Sequence, residues 1–473
     1  MKTLRVSLIN AGRPSFTSPA VSPPLGLLYL AAYARKHVQA DFQVIDQRGL
    51  DLPLEEVIRQ IRDFSPDIIG IRCLTANAGM ARNLAEALRA ELSGLMIVAG
   101  GPHASSMGGK LLEDMPIDVA VPGEGEVPFT SILQAVHSGS DLSHIPGIWW
   151  KNQAGDIIHN PGVPDFIQDI DAIPMPAYEL IDVLAYGKRR NMTMLTKRPR
   201  YFSLFTSRGC PYRCIYCHSI FGKRFRPHSP ERVVEEIQWL ADHYGIEDFD
   251  ILDDIFNMNA DRVFNIVELL KKKNMRYRFA FPNAMRTDIL TEEVMDALVD
   301  MGTYMSAFAL ETGSPRLQKV IGKNLNIEKY LAGVRMAARR RIFSYGFAML
   351  GFPGETAEEM QMTVDVICNS DLHAVLFFTV TPFPGTPLFE QVVRDHPERL
   401  QRLDYEGKDY LFKLTANLSQ VSDEELTQKL REANRRFYLN PRRIMKIIRD
   451  YPEFRQLITL GTRFLYLQAT SKL

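Results

Sequence analysis

Three of the chain's five cysteines fall within eight residues. They lie in segment 206–218, which reads TSRGCPYRCIYCH. Three residues separate Cys210 from Cys214, and two separate Cys214 from Cys217. Such clustering suggests metal ligation rather than packing, because thiolates hold iron–sulfur clusters. A cubane has four irons, so three cysteines leave one iron open to an exogenous molecule. Gly209 and Pro211 keep the segment irregular enough to wrap a cluster, and Arg208 and Arg213 can offset its negative charge. Two other readings compete. One is a zinc ion with His218 as fourth ligand, although adjacent Cys217 and His218 suit one tetrahedral ion poorly. The other is a set of unliganded thiols.

Further residues stand where apolar runs end. Glu311 follows one such run, and a carboxylate there is costly to bury unpaired. MLGFPGET (349–356) offers Gly351 and Gly354 for close backbone approach to a ligand, with Thr356 as a helix N-cap. FDILDDIFNMN (249–259) carries Asp253 and Asp254, which could also cap the next helix. FPNAMRTD (281–288) offers Arg286 to an anionic group, its alternative being an exposed arginine. In the first third, VAGGPHASS (98–106) places Gly100 and Gly101 where a bulky ligand would approach a strand end. CLTAN (73–77) supplies the hydroxyl of Thr75, and PGEGE (122–126) is a second glycine-rich turn.

Elements must hold these groups. In residues 1–145, short apolar runs at 5–11, 42–46, 68–73, 95–99 and 119–121 alternate with helical patterns at 25–36, 54–64, 78–92 and 110–115. Short apolar strands between helices predict a doubly wound, Rossmann-like parallel sheet, with ligands beyond its carboxyl ends. Residues 146–200 are rich in proline and read as a linker with a small hairpin over 147–159. Residues 201–390 alternate again: strands at 201–206, 249–252, 277–281, 304–310, 343–350 and 374–381, helices at 231–243, 260–273, 292–301, 327–340 and 357–369. Six βα units rather than eight predict a partial (β/α)6 barrel with its chemistry at the strand ends. Residues 391–473 read as a helical C-terminal region. Its stretch 438–473 is either a helix packing against the barrel or an amphipathic segment at a membrane surface.

The 473 residues suggest two to three domains. At 46% hydrophobic and 24% charged, the chain is neither disordered nor collagen-like. Lys plus Arg (56) equals Asp plus Glu (56), which gives no electrostatic case for nucleic acid as a partner. Five cysteines in this length exclude a disulfide scaffold. No stretch reaches a membrane span or a signal peptide, so the expected compartment is the cytoplasm.

The cysteine segment resembles the signature of the radical S-adenosylmethionine (SAM) superfamily. The resemblance implies a 4Fe-4S cluster held by Cys210, Cys214 and Cys217. SAM would chelate the open iron, and the reduced cluster would cleave it to a 5′-deoxyadenosyl radical. It further implies Tyr216 near the adenine, Glu311 in contact with SAM, and Asp253, Asp254, Arg286, Gly351 and Gly354 around the same ligand. The whole chain, with its glycine-rich loops in the first domain, resembles the cobalamin-dependent radical SAM proteins. That implies cobalamin at Thr75, Gly100, Gly101, Pro102 and His103, and more weakly at Gly123, Glu124 and Gly125.

One feature departs from other cobalamin proteins. Their Asp-x-His-x-x-Gly motif supplies a histidine to cobalt. Here the loop NAGRPSFTSPAVSPP has no histidine, and IDQRGL (45–50) has Asp46 and Gly49 but Arg48 in the histidine's place. No histidine lower ligand is expected. Another flavodoxin-like ligand is the alternative, but the GxGxxG fingerprint is missing; a domain that binds nothing is the other.

The resemblance implies methyl transfer from methylcobalamin to an unactivated carbon of a small organic or natural-product substrate. Non-methylating radical chemistry, such as ring formation, ring contraction or oxidation by a tetrapyrrole cyclase, is the alternative; a cobalamin or redox sensor belongs to another class. An external electron donor such as flavodoxin or ferredoxin is implied. Tyr304, Phe308, Tyr345, Phe377 and Phe383 are either core residues or lining of the substrate space.

Overall fold

The computed structural model describes residues 3–14, 20–92, 94–163, 166–193, 198–401, 403, 405, 416–453 and 456–457. The first sheet has seven strands: β1 (Leu4–Asn10), β2 (Ala40–Ile45), β3 (Ile68–Arg72), β4 (Met96–Gly100), β5 (Val119–Val121), β6 (Trp149–Lys151) and β7 (Ile157–His159). Their order is β2-β1-β3-β4-β5-β6-β7. The first five are parallel and largely buried, as strands covered by helices on both faces must be. This is the expected doubly wound sheet, with β1 and β3 flanking the point where strand order reverses.

Several helices lie where none was expected, two of them following β4 and β5 of this sheet. Pro102–Met107 starts directly after β4, launched by Gly101 at φ 96°, with Pro102 at its first position. Glu126–Ser138 starts after β5. Its Pro128 reads as a breaker in sequence but is tolerated in a first turn. The predicted hairpin forms and continues the first sheet, with β6 antiparallel to β5. Gly108 and Gly109 make that docking feasible, because a Cβ on either would come within 2.9 and 2.5 Å of the Trp149 ring.

From residue 170 to 188 the chain runs through three short 3₁₀ turns. They strap the halves together. Tyr186 donates to Asp46 in the first half and packs edge-on against Phe202 in the second. Tyr178 donates to Glu236.

The remaining strands are β8 (Tyr201–Leu204), β9 (Ser207–Arg208), β10 (Arg226–Pro227), β11 (Asp248–Ile251), β12 (Arg278–Met285), β13 (Thr303–Glu311), β14 (Phe343–Leu350) and β15 (Ala374–Thr379). β9 and β10 make a small antiparallel ribbon. The other six form a parallel sheet, β15-β14-β13-β12-β11-β8, with helices between successive strands. That is the expected partial barrel. Its helices begin on ordinary signals: Ser229 caps and Pro230 opens one, and Thr356 with Glu359 forms a capping box on another. At the amino-terminal end, Arg198 is buried between Asp248 and Asp250, each 2.7 Å away. A single apolar core joins the halves, running from Leu25, Leu28 and Tyr29 to Phe202, Val233 and Phe249.

The tail helices Asp423–Tyr438 and Pro441–Asp450 pack on the barrel. Arg443 donates to the carbonyls of Cys368 and Ser370, and His373 Nε2 lies 3.1 Å from Asp450. The described part of 438–473 therefore follows the packing reading; residues 454–455 and 458–473 lie outside the described residues, as do 15–19 of the loop after β1. Among the described residues no helix is long and apolar enough to cross a membrane.

Candidate active site

All three cysteines sit between β9 and β10. Gly209 opens their loop at φ 82°, and a Cβ there would lie 2.3 Å from the Arg224 carbonyl oxygen, so only glycine fits. Asp253, at the end of β11, accepts from the Thr206 amide, the Thr206 hydroxyl and the Ser207 hydroxyl, each at 2.6 Å. Asp254 accepts from the Gly209 amide. Further along, the Ile215 amide donates to the Ile321 carbonyl (3.0 Å), and the Ile215 carbonyl accepts from the Leu388 amide (2.9 Å). Arg286 lies 3.6 Å over the Tyr212 ring. The loop is thus held by segments following β8, β11, β12, β13 and β15.

None of the three thiols is in a disulfide, and all have some exposure. Burial pushes Cys210 and Cys217 above the ordinary thiol range, the other cysteines adding to the effect. A bound cation would reverse that balance. Among the described residues no three His, Cys, Asp or Glu side chains converge as one metal ion requires. A cluster makes a different demand, one thiolate per iron, and an irregular loop of three unpaired thiols with Gly209 at its turn fits it.

The next groups lie beside this loop. Tyr216 packs against Phe352 with ring centroids 5.9 Å apart. Burial raises the Tyr216 hydroxyl well above the usual phenol, and the nearby Glu311 adds to the shift. Glu311 ends β13 at a register shift, with φ 65°, a conformation costly for a non-glycine residue. Lys323 Nζ stands 3.3 Å from its Oε1. After β14, Glu355 Oε2 accepts from the Gly351 amide (2.6 Å) and the Phe352 amide (3.0 Å). Its Oε1 is buried without a partner, and burial raises the carboxyl to about 7. A partnerless buried oxygen and a strained glutamate beside an aromatic pair fit a polar nucleoside ligand. Gly354 adds open space: a Cβ there would meet nothing within 4 Å.

Several expected ligand contacts have other partners. The Asp253 carboxylate accepts three hydrogen bonds from Thr206 and Ser207, which tie it to the start of the cysteine loop. Arg286 is bidentate to Asp288 (2.7 and 3.0 Å) and donates to the Lys323 carbonyl, which commits it to clamping the loop. Arg208 pairs with Glu126 at 2.6 Å and Glu124 at 3.5 Å, so its charge does not serve the cluster. Gly351 is held at φ 100°, which favours glycine, and a Cβ there would lie 3.2 Å from Leu426 Cδ2 of the tail.

In the first sheet, a Cβ at Gly100 would meet only the Val121 carbonyl at 3.9 Å, leaving room at the strand end. Gly101 sits at φ 96°, and a Cβ there would lie 3.1 Å from the Cys73 carbonyl oxygen. Pro102 and His103 follow on the new helix. His103 Nδ1 lies 3.3 Å from the Thr75 hydroxyl, and burial lowers its basicity. These five residues come together at one edge and form a cradle that fits a bulky planar ligand. Gly123, Glu124 and Gly125 do not extend it. Phe166 covers the site of a Gly123 Cβ at 3.6 Å, Leu30 that of Gly125 at 3.3 Å, and the Glu124 carboxylate pairs with Arg226. Arg48 donates to the Arg13 and Ala20 carbonyls.

The two edges face each other. A Cβ at Gly385, after β15, would lie 2.7 Å from the Ser106 hydroxyl on the helix following β4. Phe166 packs between Gly123 and Gly222. Tyr29 reaches the Phe205 carbonyl at 3.4 Å. Of the aromatic candidates, Phe308 and Phe377 are core, Tyr304 is the second residue of β13, near its amino-terminal end, and Tyr345 is buried with its hydroxyl on the Pro282 carbonyl. Phe383 alone follows a strand end, packed against Tyr405. Sequence reasoning missed Lys323, Thr206, Ser207, Glu126, Arg226 and Glu355. Glu355 and Glu126 carried a local signal, each as the acid closing a glycine-rich turn.

Comparison with known proteins agrees with this geometry. Residues 204–367 match the family model for the radical SAM superfamily, and residues 16–133 that for the B12 binding domain. An uncharacterised methyltransferase of Pyrococcus horikoshii is 31% identical over 96% of each chain. A cytidylyl-2-hydroxyethylphosphonate methyltransferase of Streptomyces wedmorensis is 26% identical over 85% of this chain and 84% of its own. Among solved structures, the cobalamin-dependent SAM radical enzyme OxsB, with aqua-cobalamin and SAM bound, superposes with a TM-score of 0.74 at 17% identity, covering 99% of this chain and 76% of that one.

Proposed function

The chain belongs to the cobalamin-binding radical SAM family, and from that membership we propose that it transfers a methyl group to an unactivated carbon of a small organic substrate. The observation that carries the reading is the meeting of the two ligand edges, with Ser106 against Gly385 and Phe166 between Gly123 and Gly222. A substrate held there lies between both cofactors.

Together the bound cluster, SAM and cobalamin supply radical generation and methyl carriage, chemistry no side chain offers. The chain supplies placement. Cys210, Cys214 and Cys217 hold the cluster on a loop fixed by Asp253, Asp254 and Arg286. Tyr216 and Phe352 present an apolar face to the adenine. Glu311, with Lys323, and the free oxygen of Glu355 meet the polar parts of SAM. Gly354 lets the backbone approach. Thr75, Gly100, Gly101, Pro102 and His103 seat the corrin, with no histidine from the loops after β1 or β2 to reach cobalt. The buried contacts between the edges keep water from a reactive intermediate. An external one-electron donor, a flavodoxin or ferredoxin, would supply the reducing electron, and a reducing cytoplasm suits the unpaired thiols.

The methyl reading also draws on the names of the two relatives above. Ring-forming chemistry is the second reading, favoured by an anaerobic magnesium-protoporphyrin IX monomethyl ester cyclase of Rubrivivax gelatinosus, 23% identical over 88% of this chain and 74% of its own. Anaerobic protein reconstituted with iron, sulfide and cobalamin, then incubated with SAM and reductant, separates them. Formation of both S-adenosylhomocysteine and 5′-deoxyadenosine is the expected result. Only 5′-deoxyadenosine, with substrate present, points to ring formation. Replacing Cys210, Cys214 and Cys217 by Ala should abolish both products and leave cobalamin binding intact; SAM cleavage by that variant overturns the assignment.

A further inference from the structure

The cysteine loop is bounded by two arginines. Arg208 stands two residues before Cys210, and Arg226 nine after Cys217. They lie directly opposite each other in the β9–β10 ribbon, and both are buried. Two like charges side by side in the interior demand compensation. The carboxylates that supply it come from the other half of the molecule, while Arg226 also donates to the Ile167 and Phe221 carbonyls. Arg226 grips Glu124 with both terminal nitrogens, at 3.0 and 2.5 Å. Arg208 binds Glu126 at 2.6 Å and approaches Glu124 at 3.5 Å. Tyr29 and Phe221 flank the Arg208 guanidinium, and Phe166 lies against that of Arg226.

The same contacts lead straight to the corrin edge. The Gly123 amide, one residue before Glu124, donates to the Ser105 hydroxyl at 2.9 Å. That hydroxyl donates to the Gly101 carbonyl at 3.0 Å. A continuous chain therefore runs from both ends of the cysteine loop, through two carboxylates, to the glycine at the end of β4. Buried ion pairs of this kind add little net stability relative to apolar packing, but they tolerate no sliding. Phe166 packing alone would.

We infer that Glu124 and Glu126 are positioning residues that set the corrin edge in register with the cysteine loop, fixing the separation of the two cofactors. The inference rests on the cofactor assignment above. It assigns these carboxylates to neither cofactor; they act through Arg208, Arg226 and Ser105.

The test uses the reconstituted full chain and three variants: Glu126→Gln, Ser105→Ala, and the charge exchange Glu126→Arg with Arg208→Glu. Iron and cobalamin contents are measured first. The enhancement of cobalamin spin relaxation by the reduced cluster, read by pulsed electron paramagnetic resonance, then reports their separation. The ratio of S-adenosylhomocysteine to 5′-deoxyadenosine reports whether SAM still spans both centres. For Glu126→Gln the expected result is wild-type 5′-deoxyadenosine formation, a ratio lowered by about a hundredfold, and a changed relaxation enhancement. Ser105→Ala should shift both readouts the same way by less, and the exchange should restore them in part. Ser105→Ala leaves every charge paired, so it decides the matter if the charged variants fail to fold. Unchanged ratio and relaxation in loaded Ser105→Ala, or a fall of both products together in step with a lower Tm, overturns the inference. Wild-type protein that binds neither iron nor cobalamin would instead sink the cofactor assignment.

Discussion

Asp253→Asn is the most direct probe of how the cysteine loop is held. The wild-type carboxylate is buried and accepts three hydrogen bonds from Thr206 and Ser207. Its charge also balances Arg262, a buried guanidinium whose Nε and Nη2 donate to the His228 and Thr206 carbonyls while Nη1 has no partner among the described residues. A hydrogen bond to a charged acceptor contributes roughly 1.5–3 kcal/mol, and the terms do not add simply. Asparagine keeps one acceptor for the Thr206 amide but turns an NH2 group toward the two hydroxyls and removes the charge facing Arg262. We expect a local loss of about 2–3 kcal/mol, which makes exchange of the Thr206 amide about 30- to 150-fold faster. Hydrogen exchange on a peptide spanning 204–210 measures it. Iron content after anaerobic reconstitution should fall in parallel, because Cys210 lies four residues beyond Thr206. Asp254→Ala should release the Gly209 amide and leave Thr206 protected. Unchanged exchange at Thr206 in Asp253→Asn, with full iron loading, would show that the carboxylate does not shape the loop.

The two glycines after β4 should separate. Gly100→Ala adds a methyl into open space, so Tm holds while cobalamin binding weakens by about tenfold, one contact of ~1.4 kcal/mol. Gly101→Ala forces a positive φ with a Cβ 3.1 Å from the Cys73 carbonyl, so Tm falls, by about 1–3 kcal/mol of stability, before any ligand is added. Cobalamin titration and thermal melting read the difference. The tail contact should be acid-labile. His373 accepts the Ser344 amide on Nδ1, so Nε2 carries the proton toward Asp450. Burial lowers His373 to about 4, and Arg449 and His373 lower Asp450 to about 2. Both folded values lie below the unfolded ones, so the stabilisation is present at neutral pH, begins to fall below about 6.5, and is lost as pH drops through 4 and then 2. Proteolysis within 441–450 should accelerate between pH 7 and pH 5; equal rates would refute the assignment of that contact.

What was legible in the sequence follows from how local each cause is. The cysteine triplet was readable because the spacing of three thiolates on one loop is itself the requirement. The eleven main parallel strands were readable because burial on both faces demands continuous apolar runs, and β14 and β5 match their predicted bounds. Glu311 was readable because an acid after an apolar strand has few structural excuses. Asp253, Arg286 and Glu124 were readable as positions but not as roles. A charged side chain at a strand end declares that it needs a partner, and the partner decides whether it binds a ligand or the protein. For Asp253 the partners sit 47 residues away, and for Glu124 the partner sits 102 away. Neither separation leaves a periodicity to detect. The same holds for the hairpin, whose place on the first sheet depends on Gly108 and Gly109 clearing space for Trp149. Thus the residues assigned to carry the cofactors are proposed on their own chemistry, which shows in one sequence. Residues that aim the cofactors at each other are specified by pairing across the fold, and only the folded chain brings Arg226 to Glu124.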